Sequence, residues 1–560
     1  MQMTEEIMTH FEEMLAQHDK ETARILSIQV RNEQAESFGA FVEENGFIDT
    51  RHCGFLLAHL CVAYLVPQSG YYLSDTVKNA LSAAFSYLLG HQRPGGCLDL
   101  VSCNFASAPD TAFTMNAVIN AWLLLEKREE ADTAWLRPLM RQLLESCCEG
   151  VMNGGFHTPN HRWAISACLK HAARICGRED FSRKADVYLG EGLDIDENGE
   201  FAERSTGTYN AVNDDQMLRL FLATGDRTYL EAARSNLYMM LSYIDPDGSV
   251  FTYNSTRQDY GQKVYPDNYY SLYLLAGYLA GDEELAAYSE CCYASAAAHG
   301  RVPRGLEWLA LYPDLEAFGK RRKPDLSRIE QGKRLFQKSG IGRMRWSNAS
   351  CTVMAGKPNF LYFQNGENVV YLVLYGNVCE KRNFVPQAIE ETERGFRVSA
   401  RMDSWYYLPF EGDGLATQDW WAMDNANTRK KLISDSLSIT ADVERSGDGV
   451  DVRIAAQGLS GVPIRLEWGV LPGCKLRNEN FLMDAVPGGS MTVCAGHVQA
   501  VNAKGDCISL SPAFAKHNVL FRMGGAYPLS NQHFTLFFTA ASPFEQLIHI
   551  GTKPVFDRIL

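Results

Sequence analysis

The sequence predicts an α+β multidomain chain, helical in its N-terminal half and built of antiparallel sheet in its C-terminal part. Three observations carry this prediction. Amphipathic segments of helical length succeed one another to about Leu315, short β-branched and aromatic runs fill the chain after residue 338, and a polar, basic stretch separates the two textures. The boundaries drawn on this basis are a helical domain over 1–315, a linker over 316–338 and a β-sandwich over 339–560.

The chain opens on MQMTEEIMTHFEEMLAQHDK, which has acidic residues where a secretory signal needs a basic region and apolar residues at helical spacing; it reads as a surface helix. Helical segments then follow as CGFLLAHLCVAYLV, DTVKNALSAAFSYLLGH, DTAFTMNAVINAWLLLEK, TAWLRPLMRQLLESCCEGV, RWAISACLKHAARICG, DQMLRLFLATG, RTYLEAARSNLYMMLSYI, NYYSLYLLAGYLAG and DEELAAYSECCYASAAAHG. About ten to twelve helices fit. Turns such as ATGDRTYL and LAGDEEL place Gly at one helix end and Asp at the next helix start, as in helical hairpins. Hairpins packed on one another make a bundle, a solenoid or a closed toroid, and spacing leaves the three open.

EAFGKRRKPDLSRIEQGKRLFQKSG lacks an apolar stripe and reads as a solvated linker. Beyond it CTVMAG, FLYFQ, NVVYLVLYG, GFRVSARM, SLSITADVER, VDVRIAAQG, SMTVCAGHVQAV and FTLFFTAA, bounded by Gly, Asn and Pro turns, read as strands of a large sandwich. The aromatic cluster DSWYYLPF, with Trp405, Tyr406 and Tyr407, reads as sheet packing, with sugar stacking as the functional alternative.

Composition narrows the function classes. The net charge of −14 argues against general nucleic-acid affinity, because phosphate binding needs a basic surface. No apolar run approaches the roughly 20 residues that a bilayer span requires, so no membrane partner is expected. The 15 cysteines are scattered and lie mostly in apolar helical text, such as Cys61, Cys168 and Cys176. They read as free thiols of a reducing, cytoplasmic compartment. With no CxxC spacing and with His497, His517, His533 and His549 isolated, neither a metal nor a cofactor is expected.

Polar density concentrates in loops of the helical half. MNGGFHTPNHRW sets His157, Asn160, His161, Arg162 and Trp163 at a helix entrance; the plain reading is an Asn160 N-cap with His161 exposed. DIDENGEFAERSTGTYN carries Glu203 and Tyr209, and a tyrosine by itself is more often a packed aromatic with its hydroxyl satisfied. FTYNSTRQDYGQ carries Arg257, Gln258 and Asp259, where a surface ion pair would explain the arginine. CNFASAPDTAF sets Asn104 and Asp110 before a helix, with Asp110 suited to N-capping.

Taken together, NHRW, the Asp-Gly-Glu-Ser-Tyr-like stretch some fifty residues on, and the succession of helical hairpins before a β-rich half resemble the heparinase II/III-like and alginate-lyase-like polysaccharide lyases. That resemblance implies an (α/α) toroid joined to an antiparallel β-sandwich, and cleavage of uronic-acid glycosides by β-elimination. It further implies an acidic oligosaccharide or polysaccharide as substrate, and it leaves a homodimer open.

On the same resemblance Asn160 and a protonated His161, helped by Arg257, neutralise the substrate carboxylate, and Tyr209 moves the proton. His161 or His157 is the alternate base. Asn104, Asp110, Arg162, Trp163, Glu203, Gln258 and Asp259 are the expected substrate contacts. Two other readings stay open. One is a glycoside hydrolase on a similar toroid, using two carboxylates from among Asp110, Asp214, Asp215, Asp259 and Asp267. The other is a non-catalytic carbohydrate-binding protein.

Overall fold

The computed structural model describes residues 8–128, 131–409, 419–422 and 429–556. Residues 1–7 of the expected N-terminal helix, and Phe410 of the aromatic cluster, lie outside the described residues. The chain forms two compact units, Met1–Leu241 with Gly248–Asp325 and Ser242–Asp247 with Leu326–Leu560.

Among the described residues of the first unit eleven helices of at least 11 residues follow in order: α1 (His10–Ser27), α2 (Thr50–Leu65), α3 (Asp75–Gly90), α4 (Ala108–Glu126), α5 (Leu136–Asn153), α6 (Pro159–Cys176), α7 (Glu179–Leu189), α8 (Tyr209–Thr224), α9 (Arg227–Met240), α10 (Tyr270–Ala280) and α11 (Glu283–Ala298). None of the described helices is long and apolar enough to cross a membrane. Each expected helical segment overlaps one of them, although residues 133–135 precede α5 and residues 241–244 follow α9. Sequence reading missed α7, a short, charged helix that buries only Phe181, Ala185 and Tyr188. It also missed a small hairpin of Leu98–Leu100 with Asn104–Ser107.

Alternate helices run parallel, as contacts at matching depths show. Arg51 pairs with Asp110 in the first turns of α2 and α4, and the Asn116 amide of α4 donates to Ala164 O of α6 and Gln216 Oε1 of α8. His171 Nε2 of α6 lies 3.0 Å from Arg219 O of α8, and Arg174 pairs with Glu126 at the far ends of α6 and α4. Close approach is built in at Gly54, where a Cβ would stand 2.3 Å from Thr114 Cγ2. The N-termini of α2, α4, α6 and α8 therefore gather at one end of the unit.

The second unit holds two large sheets. One runs, strand by strand, Phe481–Asp484, Lys475–Asn478, Ala495–Val501, Cys507–Phe514, Phe544–Gly551, Gly449–Gly458, Lys431–Ser446, Gly395–Tyr407 and Ala388–Glu391. The other runs Ser490–Thr492, Phe534–Ala541, Pro463–Val470, Asn368–Val378, Leu361–Asn365, Ala349–Met354, Ile341–Trp346 and Gln331–Phe336, with Lys381–Asn383 beside Asn368–Val378. Among the strands described, pairing is antiparallel except between Ser490–Thr492 and Phe534–Ala541. Val450, Val452 and Ile454 of one sheet and Ile464, Leu466 and Trp468 of the other share one buried core. This is the alternation expected of a sandwich.

Two boundaries differ from the sequence reading. Residues 316–338 are not a bare connector: Leu315–Gly319 and Ser327–Glu330 are helical and Gln331–Phe336 is a strand. Buried Leu315, Phe318, Ile329 and Phe336 anchor the polar run, while Lys320, Arg321 and Arg322 pair with Glu316, Glu283 and Glu284. Ser242–Asp247, inside the expected helical domain, belongs to the sheet unit. Arg343 holds it, reaching Asp245 Oδ1 at 2.7 Å and Ser242 O at 2.8 Å.

Burial keeps several histidines of the helical unit neutral. The stacked rings of His18 and His59 are 3.6 Å apart, with their pKa values lowered to about 2 and about 4 by burial; burial, with Arg219 nearby, lowers His171 to about 4. The unfolded chain binds these protons near the ordinary 6.5, before the folded chain does, so their neutrality costs nothing above that pH and destabilises below it. Urea unfolding is expected to show stability falling as pH drops from about 6.5 towards 4, with a shallower fall in His59→Gln.

Candidate active site

Four helix entrances converge at the end of the helical unit where α2, α4, α6 and α8 begin. Ser107, not Asp110, caps α4: its hydroxyl accepts from Asp110 N and donates to Asp110 Oδ2 at 2.6 Å. Asp110 is the third helical residue, where it accepts from Asn104 Nδ2 at 3.2 Å and pairs with Arg51 Nε at 3.1 Å. The structure thus brings Asn104 and Asp110 together and adds Arg51, a lone arginine in the first turn of α2 that no motif marks.

Thr158 occupies the α6 N-cap position and Pro159 begins the helix, so Asn160 lies one residue inside it instead of capping it. Asn160 is fully buried, and its amide hydrogens are engaged by Glu203 Oε1 at 2.7 Å and Thr158 Oγ1 at 3.1 Å. His161 meets Phe113 edge-on and stands perpendicular to exposed His157, with ring centroids 4.5 Å apart. Burial first, then His157 and Arg257, lower the His161 pKa to about 4 against a raising effect of Asp110. The expected imidazolium is therefore a neutral imidazole at neutral pH, because desolvation disfavours the charged form.

Glu203 is buried and central. It accepts from Asn160, lies 3.7 Å from Arg257 Nη1, and has its pKa raised by burial against the pull of Asn160, Arg257 and Asn213. Arg204 beside it adopts φ +49°, a strained value for a residue with a Cβ. Arg257 in turn lies over the Tyr209 ring, 4.4 Å from its centroid, a cation–π contact. Thr158, Asn160, Glu203, Arg257 and Tyr209 thus form one chain of contacts, and Arg257 is close enough to act on His161 as well.

Other expected contacts lie elsewhere or are already engaged. Arg162 pairs with Glu191 at 2.8 Å and covers Trp163, and Trp163 is fully buried, so neither ring nor guanidinium is open to a ligand. Gln258 is exposed on its loop. Asp259 is buried and accepts from Ser205, Ser255 and Gly207, which removes it as a substrate contact. Of the other carboxylates of the hydrolase reading, Asp215 pairs with Arg219 and Asp267 with Arg301, while Asp214 is wholly buried, with a pKa raised by burial.

No family model matches the chain, and no curated protein matches it by sequence. Solved structures do match it in fold. A xanthan lyase from Paenibacillus aligns with 98% of this chain at TM-score 0.60 and 8% identity, and this chain spans 57% of that protein's length. A chondroitin AC lyase from Streptomyces coelicolor A3, in complex with chondroitin sulphate, aligns with 97% of this chain at TM-score 0.54 and 11% identity over 78% of its own length. A heparan sulfate lyase mutant from Pedobacter heparinus aligns with 99% at TM-score 0.53 and 9% identity over 85% of its own length. The chain has the fold of the (α/α) toroid polysaccharide lyases, with a C-terminal antiparallel β domain.

Removing the Glu203 carboxylate strands the Asn160 amide and the Arg257 cation in a buried setting. Glu203→Ala is expected to cost about 1–3 kcal/mol in urea unfolding, and Glu203→Gln less, because one amide oxygen still accepts from Asn160.

Proposed function

We propose that this protein cleaves uronic-acid glycans by β-elimination, leaving a 4,5-unsaturated uronate. The observation that carries the reading is the Arg257 guanidinium lying over Tyr209 and anchored to Glu203, beside a histidine kept neutral. The lyase fold of the structural neighbours supports it.

The chemistry requires these groups. The C5 proton of a uronate is weakly acidic, and its removal beside an ionised carboxylate would build a dianion, so positive potential must meet that carboxylate. Arg257, Arg51 and the gathered helix N-termini supply it. The enclosed Asn160 does not reach the carboxylate; it holds Glu203, and through Glu203 it holds Arg257. In the reaction neutral His161 takes the C5 proton as general base. The C5–H electrons form the C4–C5 double bond, the C4–O4 bond breaks, and the Tyr209 hydroxyl protonates O4. Proton return from His161 to the tyrosinate resets the site. Expected substrates are acidic oligosaccharides or polysaccharides.

Purified protein incubated with a panel of uronic-acid oligosaccharides is expected to generate the far-ultraviolet absorbance of the unsaturated uronate. Tyr209→Phe should lower the rate by at least about 100-fold. Cleavage without that chromophore would identify a hydrolase, and binding without turnover a carbohydrate-binding protein; either outcome sinks the lyase reading.

The pH profile supplies a further check. A base of lowered pKa stays active until pH falls through about 4, so the acid limb of kcat/KM should lie near 4 and not near the ordinary 6.5 of histidine. His161→Gln should lose the activity that this limb describes.

A further inference from the structure

We infer that Asp259 is the positioning residue of the Tyr209–Arg257 pair, setting the placement of both through two serine hydroxyls. Asp259 Oδ1 accepts from Ser205 Oγ at 2.8 Å and from Ser255 Oγ at 2.5 Å. Ser205 Oγ accepts the Tyr209 N–H, and Ser255 Oγ accepts the Arg257 N–H, each at 3.0 Å. The other carboxylate oxygen accepts from Gly207 N at 2.9 Å. One buried carboxylate thus reaches the backbone of both residues by two arms of the same construction.

The direction of these bonds follows from the chemistry of the groups. A serine hydroxyl has one proton and two lone pairs, and a carboxylate only accepts. Both hydroxyl protons must therefore point at Asp259, which leaves lone pairs for the Tyr209 and Arg257 N–H groups. The first arm does the work of a helix cap, because Thr208 at the α8 N-cap position makes no side-chain cap bond. Ser205, Ser255 and Asp259 are all buried, so no water competes for the bonds.

Gly207 completes the arrangement. A Cβ there would stand 2.9 Å from Asp259 Oδ2 and 3.1 Å from Val264 Cγ2, so only glycine brings its N–H this close. An asparagine at 259 would present an amide NH₂ to at least one of these donors, and an arm or the Gly207 contact would break.

The catalytic consequence rests on the lyase reading; the conformational one does not. The test is therefore double. Fluorotyrosine placed at position 209 alone reports by ¹⁹F NMR on the cation above its ring, with Arg257→Ala marking the displaced state. Ser205→Ala, Ser255→Ala and Asp259→Asn should each move the resonance towards that state, while Ser255→Thr, which keeps the hydroxyl, should return it to the wild-type position. On a substrate that is turned over, the same variants should lose about 100-fold in kcat with KM little changed, the effect of misplacing a reacting group by about 1 Å.

If Asp259→Asn does not fold, the serine variants carry the test. A wild-type resonance in both serine variants would overturn the inference, whether or not any glycan is cleaved. So would a resonance moved equally by Ser255→Thr and Ser255→Ala, which would show that side-chain volume and not the hydroxyl matters.

Discussion

The parallel run of α4, α6 and α8 depends on one buried cation. Arg219 donates to Asp215 and Asn120 and to the carbonyl of Asn116, while its own carbonyl meets His171. Asn120 also donates to Glu307, whose carboxyl is held up mainly by burial. A charge this deep is tolerated only when its donors are met, and besides Asp215 of its own helix the partners that meet it, Asn116 and Asn120, come from α4. The same contacts that satisfy Arg219 hold these helices at matching depth. Their N-termini then open at one end, where the partial positive charge of the helix ends adds to Arg51 and Arg257.

Within that frame the buried carboxylates of the site act as anchors. Glu203 grips Asn160 and Arg257, Asp259 governs two serines, and Asp110 binds Arg51 and Asn104. Each is committed to donors of the chain itself, so the groups left for chemistry are a phenol, a guanidinium and an uncharged imidazole. This division is what the proposed elimination would need: a base that begins unprotonated, a proton donor, and positive charge held in place before the substrate arrives.

Legibility in the sequence followed how local each determinant is. α4 was plain because apolar residues recur throughout its 19 residues, whereas α7 carries charge over most of its surface. Pro463–Val470 escaped notice because Arg465 and Glu467 interrupt the apolar pattern, although both are buried as a pair reinforced by Arg522. In NHRW a single motif divides. Residues one apart on a helix point about 100° apart, so Asn160 and His161 turn to the site while Arg162 turns to Glu191 and Trp163 into the core.

The sequence by itself determined the helical and sheet halves and the loops that hold the polar residues, because periodicity and turn chemistry are properties of neighbouring residues. Tertiary structure alone decided which of those residues meet and in what charge state. Glu203 joins Asn160 across 43 residues, Ser205 joins Asp259 across 54, and Arg51 reaches Asp110 from another helix. His161 loses its expected charge through burial. Desolvation and pairing are set by whatever surrounds a group in space, and residue order does not express that surrounding.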